Sequence, residues 1–273
     1  MSKIAQIVDK VFTKLENWLG CNHINPFLTL YANLRLLPFR QALRLPVYIY
    51  GFPRLMDLSG RICLECPVRS GLMRINVIDF TPAQRGSSAE IAIRGTVCLG
   101  GHALVRSNTK IYVDRGAVLS IGHNLRMGAG VIINCLNNIV IGEGVRIGHR
   151  SQLLDSNMHF MLDVRRRRVA PLRKRIVIGG HSWLTNTVTV YGGTVLPSRS
   201  VVASGTVLNK DVTALGNGNI IGGTPLRVLS SDFRLVNNYA KEREIDAYYK
   251  ANPDGEFPVV GEISEHEWFD NQL

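Results

Sequence analysis

Residues 176–208, IVIGGHSWLTNTVTVYGGTVLPSRSVVASGTVL, decide the fold of this chain. An aliphatic residue recurs there at every sixth position, and a small or β-branched residue follows four positions after each of the first five. Neither the helical period of about 3.6 residues nor the strand period of 2 explains a step of six. Six residues suit a short strand and a turn, and stacked turns of such a chain bury a continuous column. The aliphatic positions are Ile178, Leu184, Val190, Leu196, Val202 and Leu208.

The same step of six occurs upstream in two shorter runs. One run consists of Ile121, Met127 and Ile133, and the other begins at Ile141 and continues through Ile147 and Leu153. Eight residues, not six, separate Ile133 from Ile141. We therefore expect the coil to continue upstream, with two extra residues between these runs.

Composition places the chain among folded proteins and limits its partners. The 273 residues carry a formal net charge of +11, which favours an anionic partner such as a nucleotide, a phosphorylated cofactor or a membrane surface. Five cysteines, an odd number, give no disulfide framework and favour a reducing compartment. Cys63 and Cys66 form one CxxC pair, but a zinc ribbon needs a second pair. We therefore expect strand cysteines and no metal.

The flanking segments differ from the repeat. Residues 1–20 have the apolar spacing of an amphipathic helix, which either packs on the body or a neighbouring subunit, or lies on a membrane surface. Residues 26–52 are apolar, but three arginines and two internal prolines interrupt them, so we expect no membrane span there, and a position on a membrane surface stays open. We expect no signal peptide at the N-terminus. Residues 237–252 predict a helix near the C-terminus.

Four stretches resemble one family. IGEGVRIG (141–148), IVIGG (176–180), VVASGTVLNKDV (201–212) and IIGGTPLRVL (220–229) resemble the hexapeptide-repeat acyltransferases, and in particular the O-acetyltransferases of capsule and O-antigen biosynthesis. The resemblance implies an all-β solenoid, a left-handed parallel β-helix, over residues 90–228. Residues 1–89 would be an N-terminal helical and irregular extension, and residues 229–273 a C-terminal helix with an acidic tail. It also implies a cytoplasmic homotrimer that uses acetyl coenzyme A, with peripheral contact to the inner face of the membrane left open.

LLDSNMHFM, residues 153–161, contains the candidate base. The chain leaves the repeat between Leu153 and Ile178, and His159 stands at this departure, where the family carries its catalytic histidine. An imidazole with an ordinary pKa of ~6.5 can take a proton from a sugar hydroxyl and return it to a leaving thiolate. Asp155 is the nearest carboxylate to orient the ring, and Asp163 is the alternative. The resemblance also implies an active-site role for Asn134.

The resemblance assigns further residues to acetyl coenzyme A. Trp183 matches the tryptophan beside the thioester, and Ser204 matches the turn at the pantetheine arm. Lys210 and Arg227 are cations of the kind that bind phosphate. The sequence departs from the family pattern at Thr185, where glycine is usual, and in the turn ASGT. The complete set is Trp183, Asn186, Ser204, Asn209, Lys210 and Arg227.

A basic run lies in the predicted loop at 156–175. Its core, Arg165, Arg166, Arg167 and Arg168, is either a solvated loop or a clamp for an anionic acceptor, such as a nucleotide-linked or lipid-linked saccharide. No aromatic residue interleaves with the charge, so we expect no nucleic acid. The sequence thus predicts an acetyltransferase acting on a hydroxyl or amine of a sugar in surface polysaccharide biosynthesis. A transferase for a non-sugar acceptor and a non-catalytic scaffold remain the alternatives.

Overall fold

The computed structural model describes residue 10, residues 23–78 and residues 88–269. The helix predicted over residues 1–20 lies outside the described residues. Most described strands belong to three sheets, and the chain visits sheets I, II and III in turn. Sheet I consists, in spatial order, of β1 (Val47–Ile49), β4 (Met73–Val77), β7 (Ala103–Arg106), β10 (Leu125–Met127), β13 (Arg146–Ile147), β18 (Trp183–Leu184), β21 (Val201–Val202), β23 (Ile220–Gly222) and β24 (Arg227–Ser230).

Sheets II and III complete the coil, and their neighbouring strands pair in parallel. Sheet II consists of β2 (Arg54–Asp57), β5 (Glu90–Ile93), β8 (Lys110–Val113), β11 (Ile132–Cys135), β14 (Gln152–Leu154), β19 (Thr189–Tyr191) and β22 (Val207–Leu208). Sheet III consists of β3 (Arg61–Leu64), β6 (Thr96–Leu99), β9 (Val118–Ile121), β12 (Asn138–Ile141), β17 (Ile176–Ile178) and β20 (Val195–Leu196).

The core is the column that the repeat predicted. Every aliphatic residue of the six-step runs is at most 2% exposed, and Ser182, Val188, Thr194, Ser200 and Thr206 are buried beside them. Strands in register place these side chains above one another, as Leu153 on β14 lies opposite Ile133 on one side and Val190 on the other. The predicted aliphatic column is therefore confirmed.

The parallel sheets begin earlier than residue 90. β1, β2 and β3 pair in parallel with β4, β5 and β6, so the stacked strands start at Val47. The irregular lead-in predicted over residues 1–89 is wrong for this part of the chain. Irregular register between Leu55 and Asp57, and between Ile75 and Val77, breaks the step of six there. This irregularity hid the first coils from a search for strict periodicity.

Helices lie at both ends of the coil. α1 (Pro26–Leu36) and α2 (Phe39–Ala42) precede β1, and a 3-10 helix (Thr213–Leu215) separates β22 from β23. α3 (Tyr239–Ala251) confirms the predicted C-terminal helix, and α4 (Glu265–Trp268) follows it. No helix in the described part of the chain is long and apolar enough to cross a membrane.

α1 closes the free edge of β1 with two buried polar side chains. Asn33 donates to the carbonyl of Val47 and accepts its N–H, at 2.7 and 3.0 Å, as a neighbouring strand would. The hydroxyl of Thr29 accepts the N–H of Ile49 at 3.0 Å. The backbone of an edge strand otherwise offers unpaired groups to other chains. These side chains therefore both anchor α1 and satisfy the edge.

Candidate active site

Asp155 is fully buried where β14 ends. Its two carboxylate oxygens accept the backbone N–H groups of Leu136 and Asn137, each at 2.8 Å. These two residues form the corner between β11 and β12, where the repeat spacing lengthens from six to eight. The structure thus gives this carboxylate backbone partners at the corner, and not the imidazole that the sequence analysis assigned to it.

The C-terminal end of the loop contacts the same corner. The guanidinium of Arg173 donates to the carbonyl of Leu136 at 2.7 Å and lies 3.7 Å from the carboxylate of Asp114. The N–H of Lys174 donates to the carbonyl of Asp155 at 2.9 Å. Asp155, at the start of the loop, thus accepts two N–H groups of the lengthened corner, and Arg173, near the end of the loop, donates to a carbonyl of the same corner.

The loop itself is a β-hairpin, which the sequence analysis did not predict. β15 (Leu162–Asp163) pairs in the antiparallel direction with β16 (Arg168–Val169), and Arg165–Arg168 are exposed. Asp163, the alternative carboxylate, accepts the N–H of Arg166 at 2.9 Å and lies 3.8 Å from its guanidinium. Two-residue strands carry too little periodicity to be recognised in a sequence.

His159 is exposed at the start of this hairpin. The residue before it, Met158, is held from two sides. Its N–H donates to the hydroxyl of Ser156 at 3.1 Å, and its sulfur lies 3.9 Å from Nδ2 of Asn134. Asn134 is on the outward side of β11, in register with Leu154 on β14. The structure therefore brings Asn134 and the segment that carries His159 together.

A cavity of about 270 Å³ lies at the base of the hairpin. It joins residues at the start of the loop, Asp155 and Asn157, to Asn209 from the last coil. Lys174 belongs to the basic run that the sequence analysis weighed as an acceptor clamp. Tyr191 was not predicted as a site residue, although it is large where the repeat usually has a small residue. The lining residues are Asp155, Asn157, Pro171, Leu172, Lys174, Tyr191, Gly192 and Asn209.

Three of the residues assigned to the acyl donor lie near one corner of the coil. Trp183 on β18 is 38% exposed and is in register with Val201 on β21. The chain then turns from sheet I to sheet II, where Oδ1 of Asn186 accepts the N–H of His149 at 3.1 Å. The hydroxyl of Ser204 lies 3.0 Å from that of Thr185. Thr185, a departure from the family pattern, thus supplies a polar side chain at this corner.

The other three assigned residues come later in the chain. Asn209 and Lys210 follow β22, and Arg227 begins β24, which pairs in the antiparallel direction with β23. Lys210 and Arg227 are exposed, and neither has an ion pair among the described residues. Exposed Lys and Arg side chains without carboxylate partners are suited to bind phosphate groups.

The start of α3 covers the outward side of sheet I next to Trp183. Arg126, Arg146 and Trp183 occupy successive positions in register on this sheet. The ring of Tyr239 lies 4.0 Å from the guanidinium carbon of Arg126, and Arg146 donates to the side chain of Asn237. Burial, and next the charge of Arg146, lower the pKa of Arg126 to about 10. Sequence analysis missed this wall beside Trp183, because the C-terminal segment and the coil are distant in sequence.

The described cysteines are free thiols. Cys63 on β3 is in register with Cys98 on β6, and both are half-buried. Burial raises the pKa of Cys66 and Cys98, and it raises that of Cys135 to about 12, with the charge of Asp155 as the next cause. Within the described residues, no three His, Cys, Asp or Glu side chains are grouped so that they could hold a metal ion.

No protein-family model matches the chain, and none of the curated proteins matches it. Several solved structures do. A hexapeptide-repeat acetyltransferase of Vibrio cholerae O1 biovar eltor, solved with acetyl coenzyme A, is 32% identical over 40% of this chain and 60% of its own length, with a TM-score of 0.32. The chain thus spans less than two thirds of that protein.

Two other solved structures are polysialic acid acetyltransferases. NeuO is 16% identical over 71% of this chain and 84% of its own length, with a TM-score of 0.42. OatWY, a polysialic acid O-acetyltransferase, is 16% identical over 73% of this chain and 100% of its own length, with a TM-score of 0.44. These three similar proteins are acetyltransferases, which is the activity that the sequence resemblance implied.

Proposed function

We propose that this protein is an acetyltransferase that moves an acetyl group from acetyl coenzyme A to a hydroxyl or amine of a saccharide. Its three sheets would form a left-handed β-helix, and three copies would assemble with active sites between neighbours. The observation that carries the proposal is the cavity at the base of the hairpin. Its wall combines Asp155 and Asn157, at the start of the segment that carries the candidate base, with Asn209, from the set assigned to the acyl donor.

His159 would act as the general base. Its imidazole is exposed, so an acceptor can approach it from solvent, and the backbone before it is fixed by Ser156 and Asp155. A fixed backbone on a rigid coil holds a base in a narrow range of positions, which is what proton transfer requires. In this scheme Asp155 is a positioning residue that acts through the corner at Leu136 and Asn137, while Asn134 would contact the acceptor.

The reaction needs one proton and one acyl group to change place. His159 takes the proton from the acceptor while the hydroxyl oxygen or amine nitrogen of the acceptor bonds to the acyl carbon. The carbon–sulfur bond of the thioester breaks, and the imidazolium returns the proton to the leaving sulfur. A hydrogen-bond donor must stabilise the negative oxygen that forms between these two steps. The proposal therefore needs no redox partner and no metal.

The donor side would use residues at three levels of the coil. Trp183 offers a large apolar surface at the outward side of sheet I, with the hydroxyls of Thr185 and Ser204 at the next corner. Lys210 and Arg227 would pair with phosphates of coenzyme A. Acetyl coenzyme A supplies the activated thioester when it is bound.

The basic hairpin would hold the acceptor. Arg165–Arg168 are exposed and lie in the same hairpin as His159, so they could pair with the phosphates of a nucleotide-linked or lipid-linked saccharide. The charge does not distinguish the two acceptors, and both belong to the synthesis of surface polysaccharides. Such a role favours a protein at the inner side of the membrane.

Titration of the purified protein with acetyl coenzyme A tests the proposal most directly. We expect saturable binding that is weaker in the Lys210→Ala variant, and thiol release only after a sugar acceptor is added. Hydroxyl-only and amine-bearing sugars separate O-transfer from N-transfer. Sedimentation at micromolar concentration should give a trimer. A protein that neither binds acetyl coenzyme A nor releases thiol with any acceptor would be a scaffold.

A further inference from the structure

One face of α1 is apolar and turned away from the coil. Phe27, Leu30, Tyr31 and Leu34 follow the i, i+3, i+4, i+7 spacing and therefore share one side of the helix. They are 83%, 46%, 48% and 45% exposed. The opposite side, which includes Thr29 and Asn33, is buried and hydrogen-bonded to β1, so polar contacts on that side attach α1.

α2 extends this apolar surface. Phe39 and Leu43 are four residues apart and exposed, while Ala42 between them is buried. α1 and α2 contact each other. We call the exposed set the cap face. Single exposed apolar residues are normal on a protein, whereas a contiguous group of large ones marks an interaction surface. The cap face consists of Phe27, Leu30, Tyr31, Leu34, Phe39 and Leu43.

Positive charge borders the cap face. Residues 23–56 contain arginines and neither aspartate nor glutamate. Arg35, Arg40 and Arg44 are exposed, and none of them has an ion pair among the described residues. Arg54 is the exception, since its guanidinium lies 3.5 Å from the carboxylate of Glu90. Three exposed guanidinium groups without an ion pair among the described residues thus lie in or beside the two helices that carry the exposed apolar residues.

This combination selects among the surfaces that could cover the cap face. A second copy packed face to face would bring six of these arginines into one contact to which residues 23–56 bring no carboxylate, because a twofold contact pairs identical patches. An anionic lipid surface offers phosphate groups to the arginines and an apolar layer just beneath them to the aromatic and aliphatic side chains. Both features of the cap face then have a partner.

We propose that the cap face is a docking surface for anionic lipid, with α1 lying in the plane of the headgroups. α1 has 11 residues and is therefore about 16 Å long. Phe27, Leu30, Tyr31 and Leu34 insert below the phosphates, and Arg35, Arg40 and Arg44 remain at their level. The proposal rests on α1 and α2 alone and does not depend on acyl transfer.

Vesicle co-sedimentation of the full chain tests the proposal. Vesicles of phosphatidylcholine alone are compared with vesicles that contain about 30% phosphatidylglycerol. We expect binding to the anionic vesicles that weakens with salt. Replacing Arg35, Arg40 and Arg44 by Gln should weaken it about fivefold for each arginine, and roughly a hundredfold together. Phe27→Ser with Phe39→Ser should weaken it by about tenfold or more, because two large apolar side chains lose their insertion.

Matched controls separate this surface from general charge and apolarity. Arg115, Arg150 and Arg243 are exposed elsewhere, so their replacement by Gln makes the same change of net charge. Val260→Ser with Ile263→Ser removes two exposed apolar side chains far along the chain. Both control variants should bind anionic vesicles like the parent. The altered side chains of the cap face are exposed, so circular dichroism and the melting temperature should not change.

Four results would overturn the proposal. One is equal binding, or none, to the two kinds of vesicle. A second is full binding by the variants of the cap face, which would place the contact in residues 1–22 or elsewhere. A third is loss of binding only when Arg165–Arg168 are replaced by Gln, which would place it in the hairpin. The fourth is a changed oligomeric state of the variant with Phe27→Ser and Phe39→Ser, when the parent protein does not bind vesicles.

Discussion

Asp155→Asn should cost stability, because the buried carboxylate holds two backbone N–H groups at 2.8 Å. Asparagine has the same shape but keeps one acceptor oxygen, so its amide nitrogen must face one of the N–H donors. A hydrogen bond to a charged group contributes about 1.5–3 kcal/mol, and the second bond becomes a neutral one. We therefore expect the free energy of unfolding to fall by about 2–4 kcal/mol.

Urea denaturation followed by far-UV circular dichroism measures this change, at one protein concentration, because assembly alters apparent stability. Asp163→Asn is the matched control. Asp163 is exposed and its carboxylate contacts exposed Arg166, so its replacement should change the free energy of unfolding by about 0.5 kcal/mol or less. Unchanged stability of Asp155→Asn together with a large loss of turnover would refute the structural role, and would return this carboxylate to orienting the imidazole of His159.

Three further predictions concern activity and pH. His159→Ala should lower turnover by ~10²–10⁴ fold and leave acetyl coenzyme A affinity intact; an alanine variant with near-normal thiol release would contradict this. Replacing Arg165–Arg168 by Gln should weaken acceptor binding and spare donor binding in paired titrations, and the reverse result would assign the hairpin to the donor. Above about pH 9, the Cys135 thiol should lower the free energy of unfolding. The pKa of Cys135 is about 12 in the folded protein and 9.0 in the unfolded chain, so between about pH 9 and pH 10 only the folded state keeps this proton, and the free energy of unfolding falls by up to about 1.4 kcal/mol per pH unit. Above about pH 10 the lowered pKa of Arg126 acts with the opposite sign. Cys135→Ala should remove the fall between about pH 9 and pH 10.

The middle of the fold could be predicted because one rule governs it. A strict step of six identifies which side chains are buried, so it predicts Ile178, Val190 and Leu208 as core positions, and each is at most 1% exposed. The two-residue lengthening after Ile133 was also visible. The contact that these extra residues make with Asp155 could not be predicted, because it joins residues from different coils.

The start of the coil could not be predicted in the same way. Its strands at Val47 and Arg54 are buried or paired like the later ones, but a shifted register after Leu55 interrupts the spacing. Periodicity detects repetition, and a coil with irregular turns repeats too little to be detected. The contacts of Asn33 with Val47 are similarly invisible, because a polar residue within a helix ordinarily predicts an exposed side.

Candidate site residues divide along the same line. Those on the coil, such as Trp183 and Asn134, were assigned from the family resemblance, and each stands next to a buried position of the repeat. Those that act across the chain could not be predicted, as Arg173 holds a carbonyl 37 positions away in sequence and Tyr239 covers a guanidinium on sheet I. Sequence spacing therefore predicts the scaffold of a site better than the side chains that close it.

The side chains that seal β1 also limit how molecules can assemble. A coil of stacked strands ends in open backbone groups, and two such ends placed together would continue the stacking from one molecule into the next as a fibre. Asn33 and Thr29 occupy the groups of Val47 and Ile49 that an incoming strand would need. At the opposite end of sheet I, the antiparallel strand β24 replaces the parallel neighbour that further growth would require. At both ends of sheet I, residues that do not follow the repeat therefore prevent a further parallel strand from adding.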